Sequence, residues 1–221
     1  MRISAPSFIK PASRVENVRF LKTLVDEVEL LYMSSLENYD QPDVLEVKQL
    51  SETDMRYNIH MPYDRDLTKF SEWEFMAEFA DKLKPLNAVT HTFHIIESAG
   101  FFKGLEWFID ETELPVTLEN GDDYLGDFDL PNDAKICLDV GHMFMHGQNI
   151  ERVLSKQANH IEMFHIHGVI DGRDHKSIRY LPKDIRDLIF SFAKDRGKTV
   201  SLEVFNEADL MDSLSIFSQW Q

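Results

Sequence analysis

The chain has 221 residues, of which 43% are hydrophobic and 11% aromatic, enough to fill the core of one large domain spanning residues 1–221. Its 39 acidic and 23 basic residues give a net charge of −16, which argues against duplex DNA or RNA as a substrate, because nucleic-acid binding depends on Lys and Arg neutralising phosphates. No apolar run is long enough for a signal peptide or a membrane span, and the single cysteine, Cys137, leaves no disulfide. We therefore expect a cytoplasmic protein that acts on a small molecule and binds neither nucleic acid nor a membrane.

Short apolar or alternating runs predict eight β-strands along the chain, and the first of them is the weakest. The runs cover residues 2–8, 25–32, 55–60, 88–94, 115–119, 135–139, 161–167 and 199–205.

Helical patterns lie between the predicted strands. Ser13 is suited to cap the first helix, and Pro85 and Gly197 fall where helices should end. After the fourth and fifth strands the predicted helices are short or doubtful. The clearer helices cover residues 14–23, 66–83, 150–158, 182–193 and 207–217.

The alternation of strands and helices predicts an α/β fold with a parallel sheet and right-handed crossovers. Eight such units close into a single-domain (β/α)8 TIM barrel, which typically needs about 200 to 250 residues. The alternative is a doubly wound open sheet, which normally has a Gly-rich phosphate loop after its first strand. Residues 4–12, SAPSFIKPA, are not such a loop, so the barrel is the predicted fold.

Histidines and carboxylates are concentrated at the predicted strand ends. In a TIM barrel, residues at the C-terminal ends of the strands form the active site. All nine histidines lie between positions 60 and 175. The candidates are His60, His91, His94, Glu119, Asp139, His142, His165, His167 and Glu203, followed by Asp171, Asp174 and His175 in the loop after the seventh strand.

Two spacings favour a shared metal site over isolated core histidines. Asp139 and His142 project from one turn, and His165 and His167 point to the same face of a strand. Imidazoles beside carboxylates favour Zn, Mn or Fe over Ca or Mg. Buried carboxylates also need a cation to offset their charge. The sequence therefore predicts a divalent-metal site at the mouth of the barrel.

Three other candidates are interpreted as structural. His146 and His160 do not lie at the C-terminal end of a predicted strand. Cys137 lies inside an apolar run without the context of a nucleophile, and we interpret it as a small buried hydrophobe.

The segments that contain these residues resemble the xylose isomerase-like, or AP endonuclease family 2, superfamily of TIM barrels, which includes endonuclease IV-type enzymes. The matching segments are NIHMP, VTHTFH, LPVTLEN, CLDVGH and SLEVF. The resemblance implies a centre of two or three divalent ions, Mn or Zn. The ligands that it implies are His60, His91, Glu119, Asp139, His142, His165, Asp174, His175 and Glu203.

Two positions depart from the superfamily pattern. Its loop usually reads Asp-x-His, whereas Asp174 and His175 are adjacent here, so either Asp171 or Asp174 is the ligand. An acid often stands three residues after the seventh-strand histidine, and this position is Gly168 here.

Longer segments, spread from about residue 25 to residue 214, resemble the cobamide-remodelling phosphodiesterases of this superfamily. That family implies a cobamide substrate, whose nucleotide-loop phosphodiester is hydrolysed to a cobinamide phosphate and a base riboside. The segments are VDEVELL, LPVTLEN, CLDVGHMFMHG, HIHGVIDGRDHKSI and SLEVFNEADLMDSL.

The corresponding hypothesis for catalysis gives the site residues separate roles. Glu119 and Glu203 bridge the ions, which activate a water for in-line attack on phosphorus. His94 and His167 orient ligands or donate the proton to the leaving oxygen. Residues Arg173 and Lys176 bind the phosphate, with solvated surface charges as the alternative interpretation.

Two other functions remain open. A sugar or sugar-phosphate isomerase or epimerase on the same barrel needs one metal, for which Glu119, Asp139, His165 and Glu203 would suffice. The surplus of histidines favours the hydrolase. A non-catalytic metal or corrinoid carrier is the third reading. The number of metal ions per chain distinguishes the hydrolase from the isomerase or epimerase.

Overall fold

The computed structural model describes residues 1–36, 40–121, 130 and 134–220. Eight parallel strands close into a barrel, which confirms the predicted TIM barrel and rules out the open sheet. Strand β10 closes the ring by pairing with both β7 and β1. The strands are β1 (Arg2–Pro6), β2 (Glu27–Leu31), β3 (Arg56–His60), β4 (His91–His94), β5 (Val116–Glu119), β6 (Lys135–Asp139), β7 (Ile161–Ile166) and β10 (Thr199–Leu202).

Helices follow the strands and cover the outside of the barrel. The helix after β4 has 14 residues, so the expectation of a short or doubtful helix there was wrong. Residues 122–129 and 131–133, after β5, lie outside the described residues. No described helix is both long and apolar enough to cross a membrane. The helices are α1 (Arg14–Leu21), α2 (Val44–Ser51), α3 (Phe70–Asp81), α4 (Ala99–Thr112), α5 (Val140–Met145), α6 (Ile150–Gln157), α7 (Lys183–Arg196) and α8 (Glu207–Phe217).

Local signals set several helix ends. Ser13 and Glu16 form a capping box at the start of α1, in which each side chain accepts a hydrogen bond from the other residue's backbone N–H. Gly197 ends α7 in the left-handed conformation with φ of +65°. Pro85 lies in a short 3-10 turn, Lys84–Leu86, just after α3. These three boundary predictions are confirmed.

The two faces of the strands differ in chemistry. Phe93 of β4 packs on Trp73 of α3 and Phe108 of α4, so its face of the strand is turned towards the helices. Its neighbour Thr92 makes a hydroxyl contact of 2.9 Å with Thr117 of β5. Because side chains alternate along a strand, one set packs on the helices while the other lines a polar interior that leads to the mouth.

A two-stranded antiparallel hairpin, β8 (Gly168–Ile170) and β9 (Arg173–Lys176), follows β7 and lies outside the barrel ladder. Its turn residues Asp171 and Gly172 have φ of +52° and +70°, as the Asp-Gly pair of a type I′ turn requires. A Cβ at Gly168 would lie 2.1 Å from the carbonyl oxygen of Ser177. The acid that relatives often have at this position would therefore collide with the chain.

Candidate metal centre

A central group of four buried side chains lies at the C-terminal ends of four barrel strands. Glu119 ends β5, Asp139 ends β6, His165 lies near the end of β7, and Glu203 follows β10. Each offers a ligand atom within 4.8 Å of the others. His165 Nδ1 lies 3.2 Å from Glu119 Oε1 and 3.4 Å from Glu203 Oε2.

The ligand atoms of this group lack partners of their own. Glu119 Oε2, Asp139 Oδ2, His165 Nδ1 and Glu203 Oε2 are buried without a hydrogen bond among the described residues. Buried polar atoms are nearly always hydrogen-bonded, so these four atoms need another partner. A divalent cation fits this donor set.

A second group flanks the first on the β3 and β4 side. Glu119 Oε2 lies 3.3 Å from His60 Nε2 and 3.7 Å from His94 Nε2, so Glu119 belongs to both groups. The Nδ1 atom of His60 lies 3.1 Å from the carbonyl oxygen of Met61, to which it can donate. Nε2 is then left with its lone pair towards Glu119, as a metal ligand requires.

The structure places His91, an expected ligand, outside the ligand groups formed by the described residues. His91 shares the outward face of β4 with Phe93, whereas His94 points to the interior. Its Nδ1 lies 3.2 Å from the carbonyl oxygen of Pro115, and it belongs to none of the ligand groups among the described residues. Burial lowers the pKa of His91 to about 4. His94, which we expected to orient ligands or donate a proton, lies instead in the group with His60 and Glu119.

A third group lies on the opposite flank, where α5 meets the hairpin. It comprises His142, His167 and His175. Asp174 Oδ2 lies 3.5 Å from His142 Nε2 and 3.8 Å from His175 Nε2. Asp139 connects this group to the central one, because its Oδ2 lies 3.3 Å from His142 Nδ1.

The hairpin places the two alternative loop ligands, Asp171 and Asp174, in different surroundings. Asp171 is exposed at the turn, while Asp174 lies beside His142 and His175. Arg173 and Lys176 lie on β9, beside Asp174 and His175; Arg173 is exposed and Lys176 half-buried.

His167 was expected to support a ligand, and its contacts fit that role. The backbone N–H of His175 donates to His167 Nδ1 at 3.1 Å. The proton of the ring then lies on Nε2, which faces Asp139 Oδ1 at 3.3 Å. Gly141 makes room for this ring, because a Cβ there would lie 2.2 Å from it. His167 therefore orients the carboxylate of Asp139 through this contact with Oδ1.

The sequence reasoning did not identify Glu29 of β2. Its Oε1 lies 2.8 Å from His165 Nε2, and its Oε2 accepts from Ser201 Oγ at 2.9 Å. Glu29 thus binds the ring nitrogen of His165 that faces away from Glu119 and Glu203. The available signal was a pair of acids, Glu27 and Glu29, at alternate positions of the predicted strand VDEVELL.

Burial and neighbouring charges move the pKa values of the site in opposite directions. Burial would raise the pKa of Glu119, but His165, His60 and His94 hold it well below its usual range. Burial raises the pKa of Glu203 far above its usual range, and Glu119 and Asp139 add to the effect. The two carboxylates therefore differ in how readily they ionise beside His165.

Three candidates remain, Cys137, His146 and His160. Each either lies outside the centre or is unreactive within it. Burial raises the pKa of the Cys137 thiol well above its usual value, so it is a neutral neighbour of Glu119 and His165. His146 and His160 belong to none of the ligand groups formed by the described residues.

Comparisons with known proteins give the fold a context. No protein-family model and no curated protein matches the sequence. Among solved structures, a D-tagatose 3-epimerase-like protein is similar with 18% identity and a TM-score of 0.74 over 100% of this chain and 97% of that one. An AP endonuclease, family 2, from Brucella melitensis is similar with 15% identity and a TM-score of 0.75 over 100% of both chains.

A sugar phosphate isomerase/epimerase from Parabacteroides distasonis is also similar, with 11% identity and a TM-score of 0.69 over 98% of both chains. At these identities the similarity shows a shared fold. The TIM-barrel fold expected for this chain is thus confirmed.

Proposed function

We propose that the chain is a divalent-metal-dependent hydrolase that cleaves a phosphodiester in a small molecule, with the nucleotide loop of a cobamide as its substrate. The observation that carries this proposal is the arrangement of three adjoining ligand groups, joined through Glu119 and Asp139. A multinuclear site suits phosphodiester hydrolysis, because several ions can bind both the attacking and the leaving oxygen. An isomerase would need the central group alone.

The buried charge supports more than one ion. Glu29, Glu119, Asp139 and Glu203 are all buried carboxylates. In the described part of the chain their ion-pair partners are histidines. A buried carboxylate without a cation is costly, and two divalent ions would balance these four.

The residues of this chain would divide the work as follows. Bound divalent ions would supply Lewis-acid polarisation of the phosphate and lower the pKa of a water. Glu119 would supply ligand oxygens to both the central and the second group, and Glu203 would complete the central group on the β10 side. His167 would hold a proton on Nε2 against Asp139. Arg173 and Lys176 on β9 would bind a non-bridging phosphate oxygen.

The substrate class rests on two further arguments. The net charge of −16 disfavours a long polyanion such as DNA, whereas a small diester carries only one charge. The resemblance of the HIHGVIDGRDHKSI segment to cobamide-remodelling phosphodiesterases names the cobamide. The structure adds that this segment forms β8, β9 and part of the third ligand group.

Incubation of the Mn-loaded protein with adenosylcobalamin and pseudocobalamin tests the proposal. We expect release of the base riboside, detected by mass spectrometry, and two or more metal ions per chain. Glu119→Gln should abolish release and lower the metal content, because Glu119 belongs to two ligand groups. Release that is unaffected by this variant would contradict the proposal.

A sugar isomerase or epimerase is the second candidate. The central group would serve it alone, and a D-tagatose 3-epimerase-like protein is among the structurally similar proteins. About one ion per chain, turnover of a ketose and no release of a riboside would establish this candidate in place of the hydrolase.

A further inference from the structure

The described ligand groups occupy only part of the barrel mouth. Their residues come from β3, β4, β5, β6 and β7 and from the segments that follow β6, β7 and β10. None of them lies in the segments after β1 or β2. The sector of the mouth between these two strands is therefore left for something other than metal binding.

That sector contains a cavity of about 350 Å³, lined by the segments that follow β1 and β2 and by residues Asp40 and Glu46. Ser7 and Leu31 form buried parts of its wall, and Phe8 and Met33 are its exposed edges. Its volume falls within the range of small-molecule sites.

Aromatic contacts connect the cavity to the third ligand group. The Phe8 ring lies 6.3 Å from the Phe205 ring in an edge-to-face arrangement. Phe205 in turn lies 4.5 Å from the His175 ring. Phe205 and Phe8 thus form a continuous aromatic connection between the third ligand group and the cavity.

The charges around the cavity disfavour a second phosphate. Arg14 is the positively charged residue that lines the cavity. It donates from Nε to Glu46 at 3.0 Å, and its Nη1 donates to the carbonyl oxygen of Leu31 at 3.0 Å and to Asp40. Its guanidinium is thus engaged by two carboxylates, which outnumber it. An anion would be repelled, whereas a ligand with N–H donors would meet carboxylate acceptors.

We propose, on the basis of the proposed function, that this cavity binds the planar, uncharged nitrogen-containing aromatic base of the substrate while its phosphodiester lies at the metal centre. Phe8 supplies a stacking surface at the exposed edge, as aromatic side chains do for bases. Leu31, Ala12 and Met33 supply apolar walls, and Asp40 and Glu46 accept from the N–H groups of a base that carries them, such as adenine.

Adenosine is a suitable probe, since it carries such a base and no phosphate. We would measure its binding to the Mn-loaded protein by calorimetry, for the wild type and three variants. Ala12→Trp should fill the cavity and abolish binding. Phe8→Ala, at a side chain that is 58% exposed, should keep the fold and weaken binding about tenfold, the loss expected for one stacking contact. Met211→Trp places the same side chain on α8, at a residue that is 47% exposed and outside the cavity, and should bind as the wild type does.

No binding of adenosine at millimolar concentration, or equal affinity in all four proteins, would overturn the inference. Turnover of bis(p-nitrophenyl) phosphate by the wild type separates this result from the proposed function. Adenosine binding that depends on Phe8 and Ala12, without turnover of any diester, would support the base site while rejecting the hydrolase.

Discussion

Glu29 Oε1 lies 2.8 Å from His165 Nε2, and both side chains are completely buried inside the barrel. The carboxylate therefore keeps a proton on Nε2 and leaves Nδ1 to face Glu119 and Glu203. Burial opposes protonation of His165, but the surrounding carboxylates raise its pKa well above the usual value.

Glu29→Gln is predicted to lower metal affinity by about 10- to 100-fold, the usual effect of losing a carboxylate behind a histidine ligand. Competition with a fluorescent chelator measures it. Glu27→Gln is the matched control, because Glu27 lies on the same strand but binds Arg56 at 3.0 Å and Asn58 at 3.0 Å instead of a ligand. Equal loss of affinity in the two variants would show that Glu29 has no specific role.

His94→Ala is predicted to remove about one ion per chain, because His94 and His60 share the group with Glu119. His91→Ala should retain the full metal content and lose stability instead, since its ring is buried away from the centre. Elemental analysis of the two purified variants is decisive. Loss of metal from His91→Ala but not from His94→Ala would identify His91 as the ligand instead.

Gly141→Ala is predicted to displace the His167 ring, because the added methyl would lie 2.2 Å from it. We expect a loss of about 1–3 kcal/mol in the free energy of unfolding, as in other overpacked sites, and weaker metal binding through Asp139. Gly121→Ala is the control, as nothing lies within 4 Å of a Cβ there. Thermal unfolding of Gly141→Ala and Gly121→Ala, each with and without Mn, measures both the loss of stability and the weaker metal binding.

The metal-free protein is predicted to lose stability below neutral pH partly through His91. Burial lowers the pKa of His91 to about 4 in the folded state, against about 6.5 in the unfolded chain. Between these values the unfolded state binds the extra proton, so the free energy of unfolding falls as pH falls, by about 1.4 kcal/mol per pH unit. The difference between wild type and His91→Gln, measured in urea from pH 7.5 to pH 5, isolates this contribution. A difference that does not change with pH would contradict it.

The strand pattern was sufficient to predict the barrel, because each short run between helices has a place in the observed ladder. Helix α4 was underestimated because it contains Gly100 and Gly104, which disfavour a helix on propensity alone. The structure explains both residues. A Cβ at Gly104 would lie 2.0 Å from the Trp73 ring, and one at Gly100 would lie 2.3 Å from the carbonyl oxygen of Thr68. Close packing therefore outweighs propensity in this helix.

The site was predicted to the level of strand ends, but the choice between neighbouring residues depended on which face each one occupies. In VTHTFH, His91 shares a face with Phe93, and an aromatic residue on that face is a signal for packing against helices. That alternation would have favoured His94. Glu29 was harder to assign, because its partner His165 is 136 positions away and only the closed barrel brings them together.

The position of the β8–β9 hairpin outside the barrel ladder bears on how such a centre can change during evolution. Asp174 and His175 lie on a short ribbon that hangs outside the eight-strand ladder, while the central group is fixed to the barrel itself. Replacement of that one loop would remove Asp174 and His175 and leave Glu119, Asp139, His165 and Glu203 intact. Under the proposed function, a hydrolase and a single-metal isomerase on this scaffold would then be separated by the exchange of a peripheral segment, without any rebuilding of the core.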